Sequence, residues 1–495
     1  MADLQSTNRV ALAKVREVTF GVIPAAPAFK QIRQTSSGLN ANPKTATTNE
    51  IRGDRQVTDL ILVGEEAGGA VGGELAFGVA DDDLEEGLQG TWSNNPSITV
   101  ATIDTEISDV SAATLTVSAG GAAFVAGALT STQGLTTAAN NKLARVSSST
   151  ATSIVYPAAT FTAETAQIPV GASVRQVGFE GASGDLAAVT AGGNGLTSTT
   201  LDLTTVGLSA GEWVKLGDGD NAGHSLATAA NNDWCRVSAV AAHKISFDRV
   251  PTGWTADTGT GVGLRVFTGD FLINGSTKRS NTIERQYLDH TPVTYEYLRG
   301  MTLNTLQVEG KVQSIATYTK NYVGRDAYLP SPMVRVAGAT DVAAPTYGVL
   351  NTSSNVGRIG FDGSTITGPN FVLGASFSIN NNIRAQQAIG SIGAVGTGNG
   401  EFAVTGSLQT YFGDPSVYQK IINNTLTSFD MRVGRTDGNR ESLVFDFPAI
   451  KFSGGAPSVS GKNQDVTIEG AFTAIRHATL GYTMSVSRYW YLPTG

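Results

Sequence analysis

Charge, cysteine and aromatic side chains are all scarce in this sequence. Across 495 residues there is one cysteine, Cys235, only 15% of residues are charged and 7% are aromatic. A single cysteine excludes an intramolecular disulfide and any thiolate metal cluster. The four histidines, His224, His243, His290 and His477, lack HExxH or HxH spacing, and a zinc site needs three or four convergent ligands. Lys and Arg number 34 against 42 Asp and Glu, a net charge of −8. The chain therefore lacks the cationic excess that grips nucleic-acid phosphates. No run approaches the roughly 18 apolar residues of a membrane-spanning helix. The opening stretch, Met1 to Phe20, has no apolar core of a signal peptide, so assembly in a cytoplasm is expected.

Glycine is abundant instead, with 58 residues against roughly 7% in an average chain. Glycine supplies the positive φ angles of tight hairpins, so the composition points to many short strands and turns. Length alone suggests roughly three domains of about 150 residues. The expected fold class is mainly β.

Two internal repeats organise the chain. The stretch Thr137-Ala138-Ala139-Asn140-Asn141, followed by Arg145-Val146-Ser147, returns as Thr228-Ala229-Ala230-Asn231-Asn232, followed by Arg236-Val237-Ser238. These units read as two small β-sandwich-like repeats at 97–180 and 181–267. The second repeat is longer in range. Asn49-Glu50-Ile51-Arg52 resembles Asn381-Asn382-Ile383-Arg384, and Val71-Gly72-Gly73-Glu74-Leu75 resembles Val404-Thr405-Gly406-Ser407-Leu408. Both copies then reach a helix start, Asp81-Asp82-Asp83 in one and Asp414-Pro415 in the other. Acidic side chains suit the positive end of a helix dipole, Asp414 is a natural N-cap, and Pro415 fits the first helical position. The packing residues expected on these helices are Leu84, Leu88 and Trp92, and Val417 and Ile421. A β domain thus occupies 1–96 and resumes at 268–340 around the inserted repeats, and a second copy occupies 341–495.

The strand before each helix alternates with period two, which gives one buried and one wet face. Val71, Gly73, Leu75, Phe77 and Val79 form the apolar face of the first copy, and Val404, Gly406, Leu408 and Phe412 that of the second. The wet faces carry Glu74, Ala76, Thr405, Ser407 and Gln409, and no Lys or Arg.

Little in the sequence asks for catalysis. Around Gly455 and Gly461-Lys462 the P-loop spacing is wrong, and Asn463 replaces the magnesium-binding hydroxyl. Asp218-Gly219-Asp220-Asn221 lacks the closing Glu of a calcium loop and reads as a solvated turn. The glycine clusters 259–263 and 396–400 open no helix and read as hairpin tips. Cys235 stands where the other repeat has Ala144, so it reads as a small core residue. No catalytic residue, cofactor site or metal site is expected.

The residues resemble, in their order, the tail tube proteins of long-tailed, non-contractile bacteriophages. Glu17 to Pro24 looks like that family's first strand and turn. Asn49 to Arg55, the strand–helix unit ending at Trp92, Ile283-Glu284-Arg285, and Arg299-Gly300-Met301 resemble its later landmarks. Trp213-Val214-Lys215-Leu216, with Asn231-Asn232 and Arg236-Val237, is similar to a small β module often inserted in these proteins; here it occurs twice. The resemblance implies a β-sandwich or split-barrel tube domain, with one short helix, whose inner strands ring a channel. It implies stacked rings of six domains, a tape measure protein and later DNA in the lumen, and tail terminator and distal tail proteins as further partners. Two domains per chain then predict a homotrimer forming a pseudo-hexameric ring. On this reading Glu74, Ala76, Thr405, Ser407 and Gln409 face the lumen, where an acidic-to-neutral wall lets a duplex slide. The polar segment 32–48 reads as a flexible arm that orders against the next ring, and the inserted repeats lie outside.

Two other classes remain open at the level of sequence. A β-repeat surface adhesin or carbohydrate-binding protein is expected to carry a secretion signal or an anchor, and neither is visible. A virion-associated glycosidase needs paired carboxylates in a cleft, which a sequence does not place.

Overall fold

The computed structural model describes residues 4–164, 167–330, 334–366 and 368–494. Eight strands make one continuous antiparallel sheet. They are β1 (Ser36–Ser37), β2 (Leu60–Glu74), β3 (Thr294–Lys311), β4 (Thr317–Val323), β5 (Val372–Asn380), β6 (Ala403–Tyr411), β7 (Ser442–Gly454) and β8 (Thr467–Ala474). Their spatial order is β1-β2-β4-β3-β5-β6-β8-β7. The order is one set of four written twice. In each set a helix follows the second strand: α1 (Asp81–Leu88) after β2, and α2 (Ser416–Ile422) after β6.

Each set continues into a second layer through its longest strand. The first half of β3 leaves the inner sheet to pair with Asn281–Tyr287 and Asp326–Tyr328, and Asn281–Tyr287 pairs with Val10–Arg16. The first half of β7 does the same with Thr427–Gly434 and Ser485–Tyr489, and Thr427–Gly434 pairs with Val356–Phe361. Strands that switch layers make the corners of a β-sandwich. The chain therefore holds two tandem sandwiches of the same topology, and no barrel closes among the described residues. One apolar core, from Leu12 through Leu306 and Phe377 to Phe472, runs through both.

Period-two alternation sets this core. Val71, Tyr318, Leu306, Val308, Phe377, Ile379, Val404, Leu408 and Phe472 all point inward and are buried. Gly73 and Gly406 hold corresponding places in the two sets for one physical reason. A Cβ at Gly73 would lie 2.7 Å from the ring of Tyr318, and one at Gly406 would strike the ring of Phe472 and sit 2.5 Å from the carbonyl of Ser376.

Two expectations from the sequence need correction. Segment 32–48 is not a structureless arm. It contains β1 and the strand Asn40–Thr47, which pairs with Leu60–Gly68 of β2 in a long hairpin. Its polar composition hides the strand because the matching apolar run, Leu60 to Val63, comes only after the turn. The likeness of Asn49–Arg52 to Asn381–Arg384 is not one of position either. Asn49 to Arg52 lie in the hairpin's turn, whereas Asn381 lies directly after β5, buried, donating to the carbonyl of Gly87 at 3.0 Å.

The inserted repeats share a sheet. Strand Ser173–Glu180 ends the first repeat and pairs with Arg265–Phe267, which ends the second, joining both in one ten-stranded sheet. The repeated Asn-Asn pairs are internal clamps. Fully buried Asn140 and Asn231 each donate at 2.8 Å to a backbone carbonyl, of Thr162 and Thr255. Asn141 and Asn232 likewise bond both backbone groups of Leu135 and Leu226. Buried Asn140 and Asn231 must be satisfied in this way, and Asn141 and Asn232 close the adjoining turns, which explains the motif without any ligand.

Candidate assembly surface

The open face of the eight-stranded sheet is a polar surface shared by both sandwiches. One row of facing residues runs Ser36, Gly72, Thr319, Gln307, Ser378, Thr405, Thr473, Lys451. The neighbouring row runs Glu74, Thr317, Glu309, Ser376, Ser407, Ala471. Hydroxyls and amides dominate, and the Ser376 and Ser407 hydroxyls lie 3.0 Å apart. A shallow trough of about 320 Å³ crosses this face between Gln307, Ser376, Thr405 and Thr473.

Four of the five residues expected on the wet faces lie on this surface. Thr405 is exposed, and Glu74, Ser407 and Gln409 are half-buried. Ala76 is the exception: it is fully buried past the end of β2 and bridges to Val349. The strict alternation stops with the strand, so Ala76 belongs to the core and lines no surface. The face also holds cations that β2 and β6 alone do not show, because neighbouring strands bring Lys311 and Lys451. Lys311 is paired with Glu309 at 2.6 Å, and Glu74 and Glu469 add acid on the same side.

The helices pack beneath the sheet. Leu84 and Leu88 are fully buried, Val417 is buried, and Ile421 packs partly buried against the core. Trp92 is not on the helix, because α1 ends at Leu88 where Gln89 turns left-handed at φ 49°. The indole instead folds back, donating to the carbonyl of Asp81 at 3.2 Å, with the guanidinium of Arg488 4.5 Å from the ring. Asp414 accepts from the backbone N–H of Ser416, the first residue of α2, at 2.8 Å, and Pro415, expected as the first helical residue, stands one position earlier at the N-cap.

The acidic start of α1 does more than meet a dipole. Asp83 receives Lys14 at 2.6 Å and Lys320 at 2.7 Å, Asp82 receives Lys30 at 2.7 Å, and Asp81 pairs with Arg488. Burial alone would raise the Asp83 carboxyl, but Lys14 and Lys320 hold it well below the usual carboxylate range. Sequence reasoning missed this network because its cations come from four separate strands.

Further polar groups prove structural. Glu17 accepts from the backbone of Gly21 and Gly300, both at 2.8 Å, and from the hydroxyls of Ser280 and Thr282. The aspartates of the turn at 218–221 face cations, Asp218 with Arg265 at 2.7 Å and Asp220 with Arg440 at 3.1 Å. His224 Nδ1 lies 2.7 Å from the carbonyl of Gly263, and Cys235 is buried. Among the described residues no group of three or more His, Cys, Asp or Glu is placed to hold a metal.

The insert is clamped to the second sandwich. Arg236, fully buried, bonds Asp248 of its own repeat and Asp446 of β7. Trp234 packs edge-on against Tyr489, whose hydroxyl donates to the carbonyl of Trp213.

A family model described as phage tail tube protein matches residues 7–213 and 220–474. The chain belongs to the phage tail tube protein family. No curated protein matches the sequence. The first matched stretch of this tail tube protein contains β2 and α1 and the second contains β6 and α2, in line with a duplicated tube domain. A tail tube protein is a structural part of the phage virion.

Proposed function

We propose that this tail tube protein closes into rings of three chains, six tube domains in all, and that stacked rings form the conduit for DNA ejection. The observation that supports it best is the β3–β5 seam. The two domains are joined edge to edge by seven facing pairs, from Thr305 with Asn380 to Lys311 with Gly374, so the contact a ring needs between domains already exists once inside each chain. A sheet that continues this way leaves no open strand edges once it closes.

On this reading the hydroxyl- and amide-rich face carrying Glu74, Thr405, Ser407 and Gln409 lines the lumen. Acid there repels phosphate and few side chains bind it, so DNA passes without sticking. The tape measure protein occupies the same channel before ejection, and tail terminator and distal tail proteins cap the two ends. The hairpin of Asn40–Thr47 and Leu60–Gly68 reaches the adjacent ring. Its Leu60, Ile61, Leu62 and Val63 are all exposed, and burial against a neighbour would remove about 25 cal/mol per Å² of apolar surface from water. The insert sits outside the ring, and assembly takes place in the host cytoplasm.

Cryo-electron microscopy of the assembled protein tests the reading. Three chains per ring with Thr405 facing the channel is the expected result. Six chains per ring, or this face on the outside, defeats it.

A further inference from the structure

We infer that the corner formed by the end of α2 and the outer edge of β7 docks on the β1 edge of a second copy of this chain, in a register that the internal seam fixes. The inference rests on the tube reading and adds the residues of the contact. Its starting point is the row of facing residues. Ser36, Gly72, Thr319 and Gln307 of the first domain are followed by Ser378, Thr405, Thr473 and Lys451 of the second. The row has a period of four strands. Within the chain, the last member of the first set, Gln307, faces the first member of the second set, Ser378. The last member of the second set, Lys451, faces Thr473 on one side and, among the described residues, no strand on the other. By the same step it faces Ser36 of the next copy.

The two ends of the row are open as this requires. Beyond Ile450 the outer edge of β7 has no partner strand among the described residues, and β1 pairs only with β2. Exposed edges of this kind are templates for another strand.

The helices carry a second, independent sign. The end of α1 lies beneath the internal seam and is held by the second domain: Asn381 donates to the carbonyl of Gly87 at 3.0 Å and Asn399 to the side chain of Gln89 at 2.7 Å. At the end of α2 no group among the described residues plays that part. Ile422 is 63% exposed and Leu426 is 56% exposed, whereas Leu88 at the end of α1 is fully buried. The apolar residues left bare at and just beyond the end of α2, Ile422 and Leu426, follow the helix where the end of α1 has a neighbouring domain against it. A recess lies at the other end of the row. A groove of about 590 Å³ runs beside β1, lined by Val10, Gln34, Ser36, Leu39, Arg285 and Tyr287.

Cysteine cross-linking tests the register. Facing strand residues have Cα separations within the range a disulfide spans, and the native Cys235 is buried. The variant Ser36→Cys/Lys451→Cys is expected to give covalent dimers and trimers on a non-reducing gel after mild oxidation. Gln307→Cys/Ser378→Cys, across the internal seam, is expected to lose both thiols while staying at monomer mass. Rings visible by negative stain without cross-linked multimers overturn the docking and leave the tube reading standing. Absence of both rings and multimers, with the internal pair closed, overturns both. A second variant, Ile422→Asp/Leu426→Asp, changes only exposed positions. It is expected to stay monomeric at an unchanged melting temperature, and persistence of its rings overturns the proposal.

Discussion

Arg236 of the insert donates from Nη1 to both carboxylate oxygens of Asp446 at 3.2 Å, and neither side chain reaches water. Asp446 belongs to the long strand of the second domain, so this pair ties the insert to that domain. Burial pushes the Asp446 carboxyl up to about 6 even though Arg236 acts against it. Arg236→Met leaves a buried carboxylate without its cation. Loss of one partner of a buried pair costs about 3–5 kcal/mol, and calorimetry on the purified chain is expected to show a clear fall in melting temperature. An unchanged value would mean that the insert docks without this pair.

Glu212 makes a pH prediction. Burial pushes its carboxyl up to about 8, against the lowering effect of the backbone N–H groups of Ser209 and Gly269. The folded state therefore keeps a proton that the unfolded chain releases near the ordinary Glu value of about 4.3. This contribution to stability is full below that value and falls as pH rises towards 8, by up to about 1.4 kcal/mol per pH unit. Glu212→Gln keeps the shape and removes the titration. The variant is expected to gain on the parent in melting temperature between pH 5 and pH 8; a constant gap counts against the assignment.

Gly73 and Gly406 should respond alike to a single added methyl. Gly73→Ala meets the Tyr318 ring and Gly406→Ala meets Phe472 and a backbone carbonyl. Overpacking of this kind costs about 1–3 kcal/mol. Gly53→Ala, with nothing within 4 Å of the new Cβ, is the control. Denaturant midpoints that do not separate the core variants from the control would refute the packing argument.

The proposed contact of the hairpin with the adjacent ring predicts that ring formation and stacking can be separated. Ile61→Glu/Leu62→Glu alters two exposed positions, where substitutions usually change stability by no more than about 0.5 kcal/mol. Electron microscopy is expected to find rings that no longer grow into tubes. Tubes of ordinary length would show that stacking does not use this apolar run.

Much of the fold was legible because it rests on local rules. The alternation of Val71 to Glu74 and of Val404 to Leu408 announces half-buried strands, and Asp414 announces the α2 start. The residues that line the open face were legible to the same extent, since side-chain direction in a strand has period two. Ala76 broke the pattern because the strand ends before it, and strand ends depend on partners. Trp92 left its expected helical face for a related reason: Gln89 turns left-handed and stops the helix early.

The sequence by itself determined a β-rich, duplicated chain with two short helices and a weakly charged, hydroxyl-rich strand face, because composition and periodicity act over a few residues. Only the tertiary structure decided that the two domains share one sheet through Gln307 and Ser378, that Lys14 and Lys320 converge on Asp83, and that Arg236 reaches Asp446. Each of these contacts joins residues more than fifty positions apart. No local spacing encodes such a meeting; it follows from the register of strands that pair only when the chain has folded.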